Sequence, residues 1–295
     1  MEKKHLKVAL VQQSNTADRD ANLAQSIKGI KEAAKQGAKL VVLQELHRGL
    51  YFCLEENLNA FDQAESIPGP TTEILGKLAK ELEIVIVASI FERRGAGVYH
   101  NTAVAIERDG EILGIYRKMH IPHDTFYQEK FYFTPGDTGF EPIISSVGSL
   151  GILICFDQWF PEAARLMALA GADILIYPTA IGWNSKDDIA EQARQRDAWI
   201  TVQRGHSVAN ALPVISCNRV GFEPLPHDSK KGINFWGSSF ITGAQGEFLA
   251  EASTDKAEVL LAEIDFNRSE YIRRAWTYFR DRRIDEYAGL LELYL

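Results

Sequence analysis

Residues 151–165 read GILICFDQWFPEAAR, and this stretch decides the fold of the chain. An apolar run leads into Cys155, and a short turn then leads into a helix that begins at Pro161. Such a strand-to-helix elbow holds a side chain at the carboxyl edge of a sheet, beside free backbone N–H groups. A lone cysteine at a strand end is more often structural than catalytic. The segment alone therefore leaves the role of Cys155 open.

Outward from this elbow, apolar runs alternate with amphipathic segments, which predicts an α/β fold with large, mostly buried sheets. We predict strands at 7–12, 39–43, 84–89, 99–106, 150–155, 174–177, 214–218, 238–242 and 259–264. We predict helices at 22–36, 71–82, 162–170 and 189–210. The glycines at 95 and 97 predict a hairpin turn, and residues 114–138 predict an irregular loop that serves a site.

No linker or repeat divides the chain, so we predict a single domain over residues 1–295. Residues 267–295 form a C-terminal tail that follows the last predicted strand and is rich in aromatic residues and leucine. An apolar tail has to be buried somewhere. Packing on its own subunit is one interpretation, and we favour packing against a neighbour in a homo-oligomer.

Composition limits the classes of function. The chain has 295 residues, of which 46% are hydrophobic, and a net charge of −8, which argues against a nucleic-acid-binding surface. No apolar run reaches the roughly 20 residues of a membrane span, and no export signal precedes the first strand, so we predict a cytoplasmic protein. The three cysteines are too few and too widely spaced for a disulfide framework or a CxxC metal site. We expect the partners to be small molecules or further copies of the chain.

Two other strand ends carry reactive side chains. The run Leu40–Leu43 is followed by Glu45, where a buried carboxylate would be a usable general base, and Lys118 follows a strand that begins near Ile112. Taken singly, Glu45 could be a solvated strand terminus and Lys118 a surface lysine. Together with Cys155, however, the order Glu, Lys, Cys at three strand ends is a specific pattern.

This pattern resembles the nitrilase, or carbon-nitrogen hydrolase, superfamily from residue 8 to about residue 266. The resemblance implies a four-layer α-β-β-α sandwich. It also implies that Glu45 is the general base, Lys118 the cation that faces the oxyanion, and Cys155 the nucleophile. A second family glutamate falls on Glu129, where it would orient the substrate or support Lys118.

The residue types suit this chemistry. Glu45 would take the thiol proton as Cys155 attacks an amide or ureido carbonyl. Lys118 and the backbone N–H of Phe156 would hold the oxyanion, a kind of stabilisation worth about 3–4 kcal/mol per donor. This mechanism requires no cofactor, and the seven histidines form no HExxH metal motif.

The residues after the nucleophile narrow the substrate class. Superfamily members that hydrolyse N-carbamoyl amino acids place arginines three and four positions after the cysteine, where this chain has Gln158 and Trp159. Residues 155–162, 51–53, 203–210 and 216–221 are instead similar to those of N-carbamoylputrescine amidases. That resemblance implies a cationic ureido substrate and the conversion of N-carbamoylputrescine and water to putrescine, carbon dioxide and ammonia.

The far end of such a substrate is an ammonium group, which binds a carboxylate or an aromatic face. Asp124 and Trp159 are the first candidates, with Asp157 and Glu162 behind them, although either acid could simply cap a helix. We predict that the substrate pocket is formed by four side chains: Tyr51, Asp124, Gln158 and Trp159.

Two alternatives stay open at the level of the sequence. One is another amidase of the superfamily, such as an ω-amidase or an aliphatic amidase, with the same catalytic residues and a different pocket. The other is a non-catalytic binding or assembly protein on the same fold. Retention of Glu45, Lys118, Glu129 and Cys155 together argues against the second.

Overall fold

The structure, a computed structural model, describes residues 5–295 and contains fifteen strands and six α-helices. In chain order the strands are β1 (His5–Gln12), β2 (Leu40–Leu43), β3 (Val85–Gly95), β4 (Val98–Ile106), β5 (Ile112–Arg117), β6 (Ile143–Ser145), β7 (Gly148–Ile152), β8 (Ile174–Pro178), β9 (Gly182–Asn184), β10 (Val214–Cys217), β11 (Val220–Leu225), β12 (Asp228–Trp236), β13 (Phe240–Thr242), β14 (Phe248–Glu251) and β15 (Glu258–Asp265). The helices are α1 (Arg19–Lys35), α2 (Pro70–Leu82), α3 (Glu129–Tyr132), α4 (Pro161–Leu169), α5 (Ile189–Asn210) and α6 (Phe266–Ala275). Short 3₁₀ helices lie at Phe52–Leu54, Leu58–Gln63, Cys155–Trp159, Ile284–Glu286 and Ala288–Leu291.

Two six-stranded sheets organise these strands. The first has the order β15-β1-β2-β3-β4-β5, and its central strands β1, β2 and β3 run parallel. The second has the order β14-β13-β10-β8-β7-β6, with β7, β8 and β10 parallel. A smaller antiparallel sheet has the order β11-β12-β9. The carboxyl ends of the parallel strands are where α/β proteins build ligand sites.

The four layers follow from the alternation of side chains in β2. Leu40 and Val42 join the cluster that includes strand residues of the second sheet, whereas Val41 and Leu43 join the cluster that includes α1 and α2. All four side chains are buried, so neither face of β2 meets solvent. Helices α4 and α5 pack against the second sheet through residues such as Met167. The predicted α-β-β-α sandwich is confirmed.

Most predicted elements are present with small shifts at their ends, and the hairpin between β3 and β4 is confirmed. The prediction of a strand over 150–155 is wrong at its end, because β7 stops at Ile152 and Cys155 adopts a left-handed φ of 45°. Residues 114–138 are not wholly irregular, because β5 extends to Arg117 and α3 begins at Glu129. Apolar runs did not indicate the strands of the third sheet, because β9 has only three residues, β11 is interrupted by Gly221 and Glu223, and β12 begins with four polar residues.

The C-terminal tail follows β15 as α6 and two 3₁₀ helices. Phe279 packs against the core, but Leu291, Leu293 and Leu295 are at least 90% exposed in the single chain. On the described part of the chain, including this tail, no helix is long and apolar enough to cross a membrane.

Candidate active site

The ends of both sheets bring together the side chains that the sequence predicted. Glu45 follows β2 and Lys118 follows β5 in the first sheet, whereas Cys155 follows β7 in the second. A hydrogen bond from the backbone N–H of Glu45 to the carbonyl of Thr179, 3.3 Å long, joins the two sheets at this point. Glu129 opens the short helix α3. All four side chains are buried.

Lys118 lies between two carboxylates. Its Nζ donates to Glu45 Oε1 at 2.8 Å and to Glu129 Oε2 and Oε1 at 2.7 and 2.9 Å. Burial opposes a charge on Lys118, but the two carboxylates outweigh burial and raise its pKa well above the usual range. Lys118 is therefore a fixed cation within a buried site.

Cys155 is the opposite case, a thiol that is kept protonated. Burial raises its pKa well above the usual range, and the negative charge of Glu45 adds to this effect against the opposing charge of Lys118. Its Sγ donates weakly to the carbonyl of Ala180, at 3.8 Å. The left-handed φ of 45° holds the thiol at a strained elbow. Attack by this sulfur requires a base that removes the proton during the reaction.

Glu45 has the geometry of that base. Its Oε1 accepts hydrogen bonds from Asn101 Nδ2 at 2.6 Å and from Lys118, whereas its buried Oε2 has no hydrogen-bond partner within the described residues. Ser89 Oγ donates to the amide oxygen of Asn101 and so fixes the amide orientation. One carboxylate oxygen is therefore held, and the other is free to accept a proton. Asn101 is not among the residues predicted from the sequence, where its signal is an amide within the apolar strand β4.

Glu129 supports Lys118 rather than the thiol. Burial raises the pKa of Glu129 to about 7, although Lys118 and the hydroxyl of Tyr51 act in the other direction. That hydroxyl donates to Glu129 Oε1 at 2.6 Å. Of the predicted substrate-binding residues, Tyr51 thus contacts the catalytic set directly.

Asp157 closes the elbow and does not face a ligand. Its Oδ2 accepts from the N–H of Ile154 and the hydroxyl of Tyr116, each at 2.9 Å. Its Oδ1 accepts from the backbone N–H and Nδ1 of His120, at 3.0 and 2.7 Å. The side chain is fully buried. Asp157, one of the candidates for binding the substrate ammonium, therefore joins the elbow to the segment that contains Tyr116 and His120.

The remaining predicted residues lie around the elbow. Gln158 is buried, with Oε1 accepting from Trp199 Nε1 at 2.9 Å, and Trp159 is half-buried against the core. Asp124 is exposed and accepts from the backbone N–H of Thr125. Phe156 is the second residue of its 3₁₀ helix, a position whose N–H has no acceptor inside the helix. Their roles toward a substrate stay predictions.

Comparison with known proteins assigns the family. Residues 7–274 match the model of the carbon-nitrogen hydrolase family. The chain belongs to this family. It is 44% identical over 288 residues to the N-carbamoylputrescine amidase of Oryza sativa, covering 97% of this chain and 94% of that one. It is 42% identical to the citrullinase of Francisella tularensis, covering 98% of this chain and 99% of that one.

A solved structure agrees in fold over nearly the whole length. The carbon-nitrogen hydrolase of Helicobacter pylori G27 superposes with a TM-score of 0.96 at 50% identity, covering 99% of this chain and 100% of that one. This hydrolase family acts on carbon-nitrogen bonds other than peptide bonds. The chain is a hydrolase of that kind, and the alternative of a non-catalytic assembly protein is set aside.

The buried carboxylates predict a dependence of activity on pH. We expect kcat/KM to fall as the pH drops through about 7, because protonation of Glu129 removes a charge that holds Lys118. Deleting the hydroxyl with Tyr51→Phe removes a hydrogen bond that lowers the pKa of Glu129, so the acid limb should move to higher pH. The groups that act on Glu129 in this site are Lys118, Glu45, Tyr51, Cys53 and Cys155. Rate profiles from about pH 5 to about pH 9 test this, and an acid limb that Tyr51→Phe leaves in place or moves downward contradicts it.

Proposed function

We propose that this chain hydrolyses N-carbamoylputrescine to putrescine, carbon dioxide and ammonia through a covalent intermediate on Cys155. The observation that carries the proposal is the buried set of Glu45, Lys118 and Cys155. The elbow that holds Cys155 also has no arginine at positions 158 and 159. The 44% identity to an N-carbamoylputrescine amidase over 97% of the chain supports the same substrate.

The first half of the reaction forms the intermediate. The free Oε2 of Glu45 takes the thiol proton while Cys155 Sγ bonds to the ureido carbonyl carbon. The oxyanion is stabilised by the ammonium of Lys118 and by the N–H of Phe156. One of the two carbon-nitrogen bonds of the ureido group then breaks, and the nitrogen that leaves takes the proton from Glu45, while the other nitrogen stays on the carbonyl carbon bound to Cys155.

The second half releases the enzyme. Glu45, again a carboxylate, removes a proton from a water that attacks the carbonyl carbon of the intermediate. The carbon-sulfur bond breaks, and the thiolate of Cys155 takes the proton back from Glu45, which the raised pKa of the thiol favours. The carbamate that forms loses carbon dioxide in water. Glu129 keeps Lys118 in place throughout.

Citrulline is a second candidate substrate, favoured by the 42% identity to a citrullinase. It carries a ureido group on a carbon chain of similar length, but it also has an α-carboxylate. A buried carboxylate with no guanidinium to pair with it carries a desolvation cost. The glutamine and tryptophan at positions 158 and 159 therefore favour the diamine.

Selectivity tests this proposal. We expect kcat/KM for N-carbamoylputrescine to exceed that for N-carbamoyl-β-alanine and for citrulline by on the order of a hundredfold or more, as in sites that leave a polar group unpaired. Steady-state ammonia release with the three substrates is the measurement. Asp124→Asn and Trp159→Ala are the variants that should weaken the preference for the ammonium group. Comparable values for cationic and anionic substrates contradict the assignment even if the catalytic residues are correct.

We also propose that the partner of the C-terminal tail is a second copy of the chain. The support is the exposure of the tail, where Leu291 is 90% and Tyr294 is 92% exposed, because an apolar surface of this kind is usually covered. Light scattering coupled to size-exclusion chromatography should give a mass of at least two chains, and deletion of residues 284–295 should lower it. A monodisperse monomer of the full chain contradicts the proposal.

A cytoplasmic location completes the proposal. Its support is cysteine chemistry, since Cys53, Cys155 and Cys217 are all free and buried, and Cys155 must stay reduced to act. Fractionation of the source cells is the test, and recovery of the protein outside the cytoplasm contradicts this assignment.

A further inference from the structure

We propose that the buried ion pair between Arg219 and Glu223 is a positioning device that sets both carboxylates of the active site, Glu45 and Glu129. The inference rests on the catalytic roles proposed above for these two glutamates and is independent of which ureido or amide substrate the enzyme prefers. Neither member of the ion pair contacts the reacting atoms in the proposed mechanism. The two residues act through backbone groups.

Arg219 holds the loop that carries the general base. It lies between β10 and β11 and is fully buried. Its Nη2 donates to the carbonyl oxygens of Glu45 and Leu46 at 2.8 and 3.1 Å, and its Nη1 donates to the carbonyl of Gly49 at 3.2 Å. Leu46 has a left-handed φ of 48°, a conformation that a leucine rarely adopts without support. One guanidinium thus fixes the backbone on both sides of the turn that aims Glu45.

Glu223 connects the same guanidinium to the second carboxylate. Its Oε1 accepts from Arg219 Nη1 at 2.7 Å, and its Oε2 accepts from the backbone N–H of Tyr51 at 2.6 Å. The hydroxyl of Tyr51 in turn donates to Glu129, which holds Lys118. The order of contacts is therefore Arg219, Glu223, Tyr51, Glu129, Lys118.

Aromatic packing leaves little freedom in this chain of contacts. The ring of Tyr51 lies 5.8 Å from those of Tyr127 and Phe235, between centroids. The guanidinium of Arg219 lies 5.1 Å from the centroid of Phe235 and 5.8 Å from that of Tyr51. A planar fork with several donors fits this geometry, and a lysine ammonium cannot reproduce it.

A purely structural role is the alternative, and the chain contains a matched pair that controls for it. Glu65 also accepts from an arginine through Oε1, Arg48 Nη1 at 2.6 Å, and from a backbone N–H through Oε2, that of Thr71 at 2.9 Å. The side chains of this pair are 21% and 10% exposed. Among the described residues, the side chain of Glu65 makes no hydrogen bond to a catalytic side chain. Glu65→Gln therefore removes the same kind of charge and acts through Arg48 on the same loop after Glu45, but it breaks no hydrogen bond to the side chain of Glu45 or Glu129.

The experiment compares Glu223→Gln with Glu65→Gln in the full-length enzyme, using kcat, KM, Tm and the rate at which iodoacetamide alkylates Cys155. We expect Glu223→Gln to lower kcat by about 100-fold, as a misplacement near 1 Å does, with KM changed by less than about threefold. Its alkylation rate should also change. Glu65→Gln should lower Tm while kcat stays within about threefold of the wild type. Arg219→Lys should lower kcat in the same way as Glu223→Gln, because lysine keeps the positive charge but lacks the planar guanidinium that donates to several acceptors at once.

Equal effects of the two glutamine variants on kcat, in proportion to their effects on Tm, would overturn the inference. If Glu223→Gln does not fold, Tyr51→Phe keeps the ring packing and removes only the link to Glu129. A loss in kcat of about tenfold at a pH above the acid limb, with only a small loss in Tm, then supports the inference, and an unchanged kcat at that pH overturns it. If the wild type does not hydrolyse N-carbamoylputrescine, the substrate proposal fails, but alkylation of Cys155 still compares the variants without any substrate.

Discussion

Cys155→Ala is expected to reduce turnover by a factor on the order of 10⁴ or more, the size of loss seen when a catalytic nucleophile is removed. The sulfur is the attacking atom, and an alanine methyl cannot form the covalent intermediate. Cys155→Ser should lose turnover in the same way. Glu45 has to remove the proton of the nucleophile, and a serine hydroxyl is much harder to ionise than a thiol. The fold should survive, because alanine also packs in the core cluster and the thiol has one weak hydrogen bond among the described residues, to the carbonyl of Ala180.

Cys217→Ala is the matched control. Cys217 is also a fully buried cysteine in the second sheet, and its Sγ likewise contacts a backbone carbonyl, that of Val11 at 3.4 Å. We expect this variant to keep its activity and to lose only a small amount of stability. Ammonia release measures turnover, and intact mass detects the adduct on Cys155 in wild-type enzyme held with excess substrate. Turnover by Cys155→Ala at the wild-type rate would contradict the mechanism.

The fold was predictable because its signals are local. The run Leu40–Leu43 is apolar on both faces, as a strand between a helix layer and a second sheet has to be. The helix predicted over 189–210 has those same bounds in the structure. The positions of Glu45, Lys118 and Cys155 could be recognised for the same reason, since each lies within three residues of the end of a strand, where a charged or nucleophilic residue interrupts a clear pattern.

The supporting residues could not be predicted, because their roles come from contacts between distant parts of the chain. Asn101 is read from the sequence as a polar residue in an apolar strand, and only the fold brings its amide to Glu45. Arg219 and Glu45 are 174 positions apart, and no local pattern joins them. Asp157 shows the converse limit, because its position after Cys155 suggests a ligand contact, whereas its hydrogen bonds go to Ile154 in the elbow and to the distant Tyr116 and His120.

Glu45→Gln is the variant that separates the base from the rest of the site. Glutamine can still accept from Asn101 and Lys118 through its amide oxygen, so the packing should be kept. Its amide nitrogen cannot take a proton at the position of the free Oε2. We therefore expect kcat to fall by on the order of 10³-fold, within the range that a general base contributes.

The rate at which iodoacetamide alkylates Cys155 shows whether Glu45→Gln has lost only the general base or has disrupted the whole site. The charge of Glu45 helps to raise the pKa of the thiol, so the glutamine variant should have a lower thiol pKa and more thiolate at a given pH. Iodoacetamide should consequently modify Cys155 in Glu45→Gln at least as fast as in the wild type, although turnover is lost. A nucleophile that still reacts in an enzyme that no longer turns over identifies the missing step as proton transfer. If Glu45→Gln instead hydrolysed substrate at a near-normal rate, another group would have to be the base, and Glu129, whose pKa lies at about 7, would be the next residue to test.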